Sequence, residues 1–183
     1  MPRPAKGAVM IRYGCFVLLL SAACDVGESG GGNTDKTASA TIAPTTGNMV
    51  TGAVKFTLHD GKVSVVINVM SAPEGMHGFH IHQNPACGND GMDAGAHWDG
   101  AAAGDPTTHG LPEGATHHLG DLGNVTISAA GTGMVMATNA AWTLGDAAAT
   151  DVVPHAVIFH ANMDDGTMPS AGARIGCGVI AAD

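Results

Sequence analysis

Short runs rich in β-branched residues, each broken by a turn signal, set the pattern of the chain from residue 38 onward. Residues 50–58 and 62–69 are two such runs, separated by His59, Asp60 and Gly61; Asp-Gly accepts positive φ at little cost, so the pair reads as a hairpin. Residues 71–75 form a turn leading into a strand over 79–83. Residues 124–128 and 133–138 form a second hairpin around 129–132, and strands over 155–160 and 174–181 complete the set. Between these elements lies a stretch, 84–119, that is rich in Gly and Pro and has little periodicity. Irregular segments of that length usually carry function. The pattern predicts an all-β domain over residues 38–183, with about eight short antiparallel strands arranged as a Greek-key barrel or sandwich with long loops.

Composition agrees with that picture. Aromatic residues make up only 4% of the chain while Gly, Ala, Thr and Val are plentiful, which suits short strands and tight turns and not long amphipathic helices. At 183 residues, with nothing repeating at a fixed period, one domain is expected.

The segment ahead of residue 38 reads differently. Arg3, Lys6 and Arg12 precede the apolar run Cys15-Phe16-Val17-Leu18-Leu19-Leu20, then come Ser21, Ala22, Ala23 and Cys24, so residues 1–23 read as an export signal. The run is far short of the roughly 20 apolar residues a bilayer requires, so a permanent transmembrane helix is not expected. Met1 and Met10 are alternative starts, since Met10-Ile11-Arg12 would make a tidier signal. Small residues followed by Cys24 resemble a bacterial lipoprotein processing site, although Ser21 stands where that pattern usually has Leu. Cleavage nearby with a soluble product is the alternative. Residues 24–37, polar and Gly-rich, read as a flexible tether. The expected location is the periplasm or cell envelope, with any membrane contact made through a lipid on Cys24.

Charge removes other classes. A net charge of -9, from 7 basic and 16 acidic residues, argues against nucleic acid or anionic membrane surfaces as partners. With Cys15 and Cys24 assigned to the signal, Cys87 and Cys177 remain. In an exported protein they suggest one disulfide, with a pair of unpaired buried thiols as the alternative. The ten methionines read as core or surface filler rather than copper ligands.

Histidine carries the candidate chemistry. Alternate residues of a strand share a face, so His80 and His82 point one way while Phe79 and Ile81 point the other. With His97, His109, His118, Asp121 and His160 they make six imidazoles and one carboxylate, enough for two metal ions if one histidine bridges. Imidazole suits copper and zinc, and three histidines with an aspartate complete tetrahedral zinc. A lone histidine is more often a surface or hydrogen-bonded core residue. His59 in its turn, His117 beside a better candidate, and His155 after Pro154 fall under that reading.

Spacing and neighbours agree further. The segments Gly75-Met76-His77-Gly78-Phe79-His80-Ile81-His82, Gly95-Ala96-His97-Trp98, His109-Gly110 and His118-Leu119-Gly120-Asp121-Leu122-Gly123-Asn124 appear in that order. His160, Asp164-Asp165 and Gly172-Ala173-Arg174-Ile175-Gly176-Cys177-Gly178-Val179-Ile180 follow. Together they closely resemble the motifs of copper,zinc superoxide dismutases over nearly everything from Ala38 to Ile180. The resemblance implies one copper per subunit on His80, His82, His97 and His160, and one zinc on His97, His109, His118 and Asp121, with His97 as the shared imidazolate. It also implies that Asp164 links a copper-ligand histidine to a zinc-ligand histidine, that His77 supports the site without binding metal, and that Cys87 and Cys177 pair. Arg174 would dock the superoxide anion, which a redox-cycling copper converts to oxygen and hydrogen peroxide.

Two departures stand out. The loop from His97 to His109 contains Gly100-Ala101-Ala102-Ala103-Gly104-Asp105-Pro106 and looks longer than the family's usual connection. Between His160 and Arg174 there is no lysine, where many family members place basic residues. Steering would then rest on Arg174, the metals and Lys55 or Lys62, so a shallow dependence of kcat/KM on ionic strength is expected. Rival readings are an envelope protein that stores or delivers copper and zinc, and a copper-only relative lacking zinc. A monomer and a homodimer both remain open.

Overall fold

The computed structural model describes residues 35–100 and 109–183. The expected signal, the two start methionines, Cys24, nearly all of the tether and residues 101–108 of the long loop lie outside the described residues.

The hairpin signalled by Asp-Gly forms as expected. Asp60 (φ 48°) and Gly61 (φ 74°) both take the positive φ that a tight turn needs, and they join β2 (Thr51–His59) to β3 (Lys62–Met70). Along β2, Gly52, Val54 and Phe56 are buried, and along β3, Val63, Val65, Ile67 and Val69 are buried, while most intervening positions are open. This period of two marks one face toward a core and one toward solvent.

The remaining strands are β1 (Lys36–Pro44), β4 (Gly75–His82), β5 (Asp121–Ile127), β6 (Gly133–Asn139), β7 (Ala156–His160), β8 (Arg174–Val179) and the two-residue β9 (Ala181–Ala182). They pair in the order β5-β4-β7-β8-β1-β2-β3-β6, with β9 on β1, and every strand pairing is antiparallel. The end strands β5 and β6 lie against each other without pairing, so the sheet curls into a nearly closed barrel. The all-β Greek-key expectation holds. Among the described residues the only helical element is the 3-10 turn Met92–Ala94.

Several boundaries differ from the sequence reading: β4 opens at Gly75 and not at 79, and β5 at Asp121 and not at 124. β1 was not delimited as a separate run, and it opens at Lys36, inside the expected tether. Its pattern is faint because its residues are mostly small, yet Ala38, Ala40 and Ile42 are buried in alternation between β2 and β8. The expected strand over 174–181 divides at Ile180, which is buried, and β9 then turns to pair with β1.

Phe56, Phe79, Ile81, Val65, Ile67 and Phe159 fill the barrel, each essentially inaccessible. Burial of that kind contributes about 1.5–3 kcal/mol per side chain. β4 and β7 are the positioning elements. Their inward residues Phe79, Ile81 and Phe159 belong to the core, and His80, His82 and His160 face outward beneath the loops.

Candidate metal centre

His80 and His82 share a face of β4, and both are buried because loops cover that face. The register shifts between Gly78 and His80 against β5, and between Phe159 and His160 on β7 against β8. Bulges re-aim side chains, and here both fall at metal-site histidines. His97 lies beside β4 through an antiparallel bridge to His82, stitched by Gln83 N–H to Ala96 O (2.9 Å) and Trp98 N–H to Ile81 O (2.9 Å). Gly120 passes so close that a Cβ there would sit 2.2 Å from Ile81 O, which explains glycine just before Asp121.

These placements gather two groups. His80, His82, His97 and His160 form one; His97, His109, His118 and Asp121 form the other, and in each group the candidate ligand atoms lie within 4.8 Å of one another. His97 belongs to both. Its ring centroid is 4.1 Å from that of His80 and 4.8 Å from that of His82 on one side, and 4.9 Å from that of His109 on the other.

The hydrogen bonds fix which nitrogens remain for a metal. His80 Nε2 donates to Asp164 Oδ2 (2.7 Å), His82 Nδ1 to Gly95 O (3.0 Å) and His160 Nδ1 to Gly172 O (3.1 Å). The opposite atoms, His80 Nδ1, His82 Nε2 and His160 Nε2, are buried without a partner. A buried polar atom left unsatisfied costs about 1–3 kcal/mol, and three converging bare lone pairs suit a cation that accepts imidazole. The second group converges on a carboxylate. Asp121 Oδ1 lies 2.7 Å from His97 Nδ1 and 3.0 Å from His109 Nδ1, and its Oδ2 lies 3.2 Å from His118 Nδ1. Asp121 Oδ2 also accepts from the N–H groups of Gly110 (3.2 Å) and His118 (2.8 Å). Three imidazoles and a carboxylate form a donor set suited to zinc.

Asp164 joins the two groups, accepting from His80 Nε2 through Oδ2 and from His109 Nε2 through Oδ1 (3.0 Å). Asn124 holds it in place: Asn124 Nδ2 donates to Asp164 O (2.8 Å) and Asp164 N–H to Asn124 Oδ1 (2.7 Å). Asn124 closes the His118–Asn124 motif, but the motif does not assign it this part. Nothing local marks it, because its partner is 40 residues away.

Burial and charge tune these groups. Burial, reinforced by neighbouring imidazoles, brings His97 down to about 4 and His160 to about 3, and pushes His82 well below its ordinary value. Burial opposes protonation of His109, but the Asp164 and Asp121 carboxylates outweigh it and raise that ring. Burial alone would raise Asp121 and Asp164; hydrogen bonds from His97 to the first and His80 to the second hold both well below the usual carboxylate range.

Arg174, half-buried at the start of β8, donates through Nη1 to Gly91 O and through Nη2 to Gly95 O, both at 2.6 Å. Its guanidinium lines a cavity of about 260 Å³ together with His80, His82, His97 and His160. Cys87 and Cys177 form a disulfide that ties the loop after β4 to β8. His77 is buried, with Nδ1 donating to His160 O (2.9 Å) and Nε2 lying 2.9 Å from Pro73 O, so it braces β7 without facing either group. His155 stacks near Trp98 (4.5 Å) and bonds Gln83 O, His117 bonds His118 O, and His59 sits exposed beside Asp35. None of these three joins the metal groups.

Comparison with known proteins places this geometry. The family profile described as copper/zinc superoxide dismutase (SODC) matches residues 50–180. A superoxide dismutase [Cu-Zn] of Haemophilus parainfluenzae is 33% identical over 152 residues, covering 76% of this chain and 78% of that protein. An extracellular superoxide dismutase [Cu-Zn] of Haemonchus contortus is 34% identical over 122 residues, 62% of this chain, and the match spans 63% of that relative's length. The crystal structure of the clock protein EA4 superposes with a TM-score of 0.66 at 27% identity, covering 80% of this chain and 94% of that one. With the profile running through both histidine groups and the barrel strands that carry them, the chain belongs to the copper/zinc superoxide dismutase family.

Proposed function

We propose that the protein disproportionates superoxide, turning two anions and two protons into one oxygen and one hydrogen peroxide. His80, His82, His97 and His160 would hold copper, and His97, His109, His118 and Asp121 would hold zinc. The observation that supports this reading is His97, whose Nδ1 lies 2.7 Å from Asp121 Oδ1 while its ring packs against His80 and His82, so that its other nitrogen would serve the copper group. Copper bound there would supply the one-electron redox cycle, and zinc the fixed charge that orders the loop.

The chain's own residues do the rest. Carbonyls of Gly95 and Gly172 and the Asp164 carboxylate set the tautomers of His82, His160 and His80, so the metal-facing nitrogens are proton-free. With zinc on Nδ1, His97 Nε2 would hold a proton and hand it toward the cavity that this residue lines. The Arg174 guanidinium, fixed by two carbonyls, docks the anion in that cavity. Among the described residues it is the only Arg or Lys lining the cavity; Lys55 pairs with Asp183 (3.8 Å) and Lys62 opens β3 at the far hairpin. A shallow fall of kcat/KM with ionic strength follows.

Residues 1–23 serve as export signal and those between Cys24 and the start of β1 at Lys36 as tether in this reading, with Cys24 as the lipidated residue in a periplasmic or envelope location. The disulfide favours an oxidising compartment. Superoxide consumption by copper- and zinc-loaded protein, compared with Arg174→Ala and His97→Ala, tests the enzyme against a metal store. Arg174→Ala is expected to lose about tenfold or more in rate at unchanged copper content; a store would show no rate to lose.

A further inference from the structure

The eight methionines among the described residues are all on the surface, with exposures from 46% to 77%, and none joins the core. Two of them are distinguished by position. Met92 (57% exposed), on the 3-10 turn after the disulfide, and Met168 (48%), just ahead of Pro169, line the same cavity as the copper-side histidines. They arrive on different loops, one between β4 and β5 and one between β7 and β8. The imidazoles in that cavity are buried, whereas the two methionines reach solvent. Met76 and Met136 open onto a different groove, and Met49 onto a third.

We propose that Met92 and Met168 form a receiving site for Cu(I) at the cavity mouth, a site distinct from the four-histidine group it feeds. The proposal rests on the copper reading above. Soft thioethers select Cu(I), and they bind without first losing a proton, unlike the protonated forms of His or Cys. The bare nitrogens of His80, His82 and His160 are buried, so an ion that arrives on a carrier must change ligands at the opening before it reaches them. The exchange involves no redox step: a thioether lone pair replaces a carrier ligand, an imidazole nitrogen then replaces the thioether, and copper stays Cu(I). Three bare imidazole nitrogens on the inner group stand against two thioethers outside, so the inner site is the stronger of the two, which drives transfer inward.

The test uses the full chain loaded with zinc and free of copper. Met92→Leu with Met168→Leu keeps side-chain volume nearly constant. The double variant is expected to take Cu(I) from a bicinchoninate complex at least about fivefold more slowly, while uptake of Cu(II) from a glycine complex is unchanged and Met49→Leu has no effect on either. In copper- and zinc-loaded protein carrying ε-13C-methionine, added silver(I) should shift the Met92 and Met168 methyl signals before that of Met49. Equal slowing of Cu(I) and Cu(II), no slowing, or a Met49 shift at the same silver concentration would overturn the proposal. Copper content after long incubation should be the same in native and variant protein. A native chain that ends with no copper on the four histidines would overturn the copper reading and this proposal with it.

Discussion

The two metal groups are built by different means. His80, His82 and His160 stand on β4 and β7, inside an antiparallel ladder whose other face is the barrel core. His97, His109 and His118 hang on the loop between β4 and β5, where regular structure among the described residues is confined to one 3-10 turn and a bridge at His97. The strand-borne group is set by backbone pairing and leaves bare nitrogens behind. The loop-borne group is drawn together by one carboxylate that contacts three rings and two N–H groups. A rigid scaffold can hold a site ready before the ion arrives, whereas a loop needs a charge at its centre. Zinc is therefore expected to order structure, and copper to enter a site already formed.

The largest expected effect concerns what pins the loop. Cys87 and Cys177 are 90 residues apart, and removing a cross-link over that span costs about 4.5 kcal/mol on the chain-entropy account. Urea unfolding of the metal-free Cys87→Ser, Cys177→Ser variant should show a loss near that size. A loss under about 1 kcal/mol would mean that other contacts already fix the loop.

Asp121→Asn should break the loop-borne group selectively. Loss of the central charge is expected to weaken zinc binding by about 100-fold or more, read by chelator competition, with copper affinity changed by less than about tenfold. Equal losses for both metals would contradict the division drawn here. Asp164→Asn should behave differently because Asp164 contacts both groups, through His80 and His109. About 10-fold to 100-fold weaker binding of both ions is expected, and an effect on zinc alone would mean that the His80 contact carries little.

Acid gives the smallest effect. In metal-free protein His97 sits at about 4 and His160 at about 3, below the ordinary value of 6.5, so between those limits the unfolded chain binds more protons than the folded one. The stability they contribute is complete above pH 6.5, declines as pH falls below 6.5, and is fully lost below about 4 for His97 and about 3 for His160. The raised His109 contributes stability that is fully present below 6.5 and lost as pH rises above it, and the depressed Asp121 and Asp164 add to the acid loss below 3.8. Thermal melts of metal-free protein should fall steadily from pH 7 to pH 4. A flat profile would refute the burial of His97 and His160.

Much of this was legible in the chain. The division of ligands between two metals rests on the resemblance of motifs in order; the hairpin at Asp60-Gly61 and the alternate placement of His80 and His82 depend on local geometry, so they survive translation into one dimension. Three features did not. β1 was faint because small residues such as Ala38 and Ala40 give a weak hydrophobic signal. Asn124 bracing Asp164 needs contact across 40 residues. Met92 and Met168 are 76 positions apart and look like filler until two loops bring them to one opening.

The sequence by itself determined most of the strands, which residue types could bind metal, and that two histidines share one face of β4. The tertiary structure decided which nitrogen of each ring stays bare. It also decided that one carboxylate gathers the loop-borne rings, and that Arg174 is the only Arg or Lys on the cavity wall among the described residues. The reason is physical: periodicity and turn chemistry act between neighbours in the chain, whereas tautomers, burial and charge placement are set by partners that only the folded barrel brings within a few ångströms.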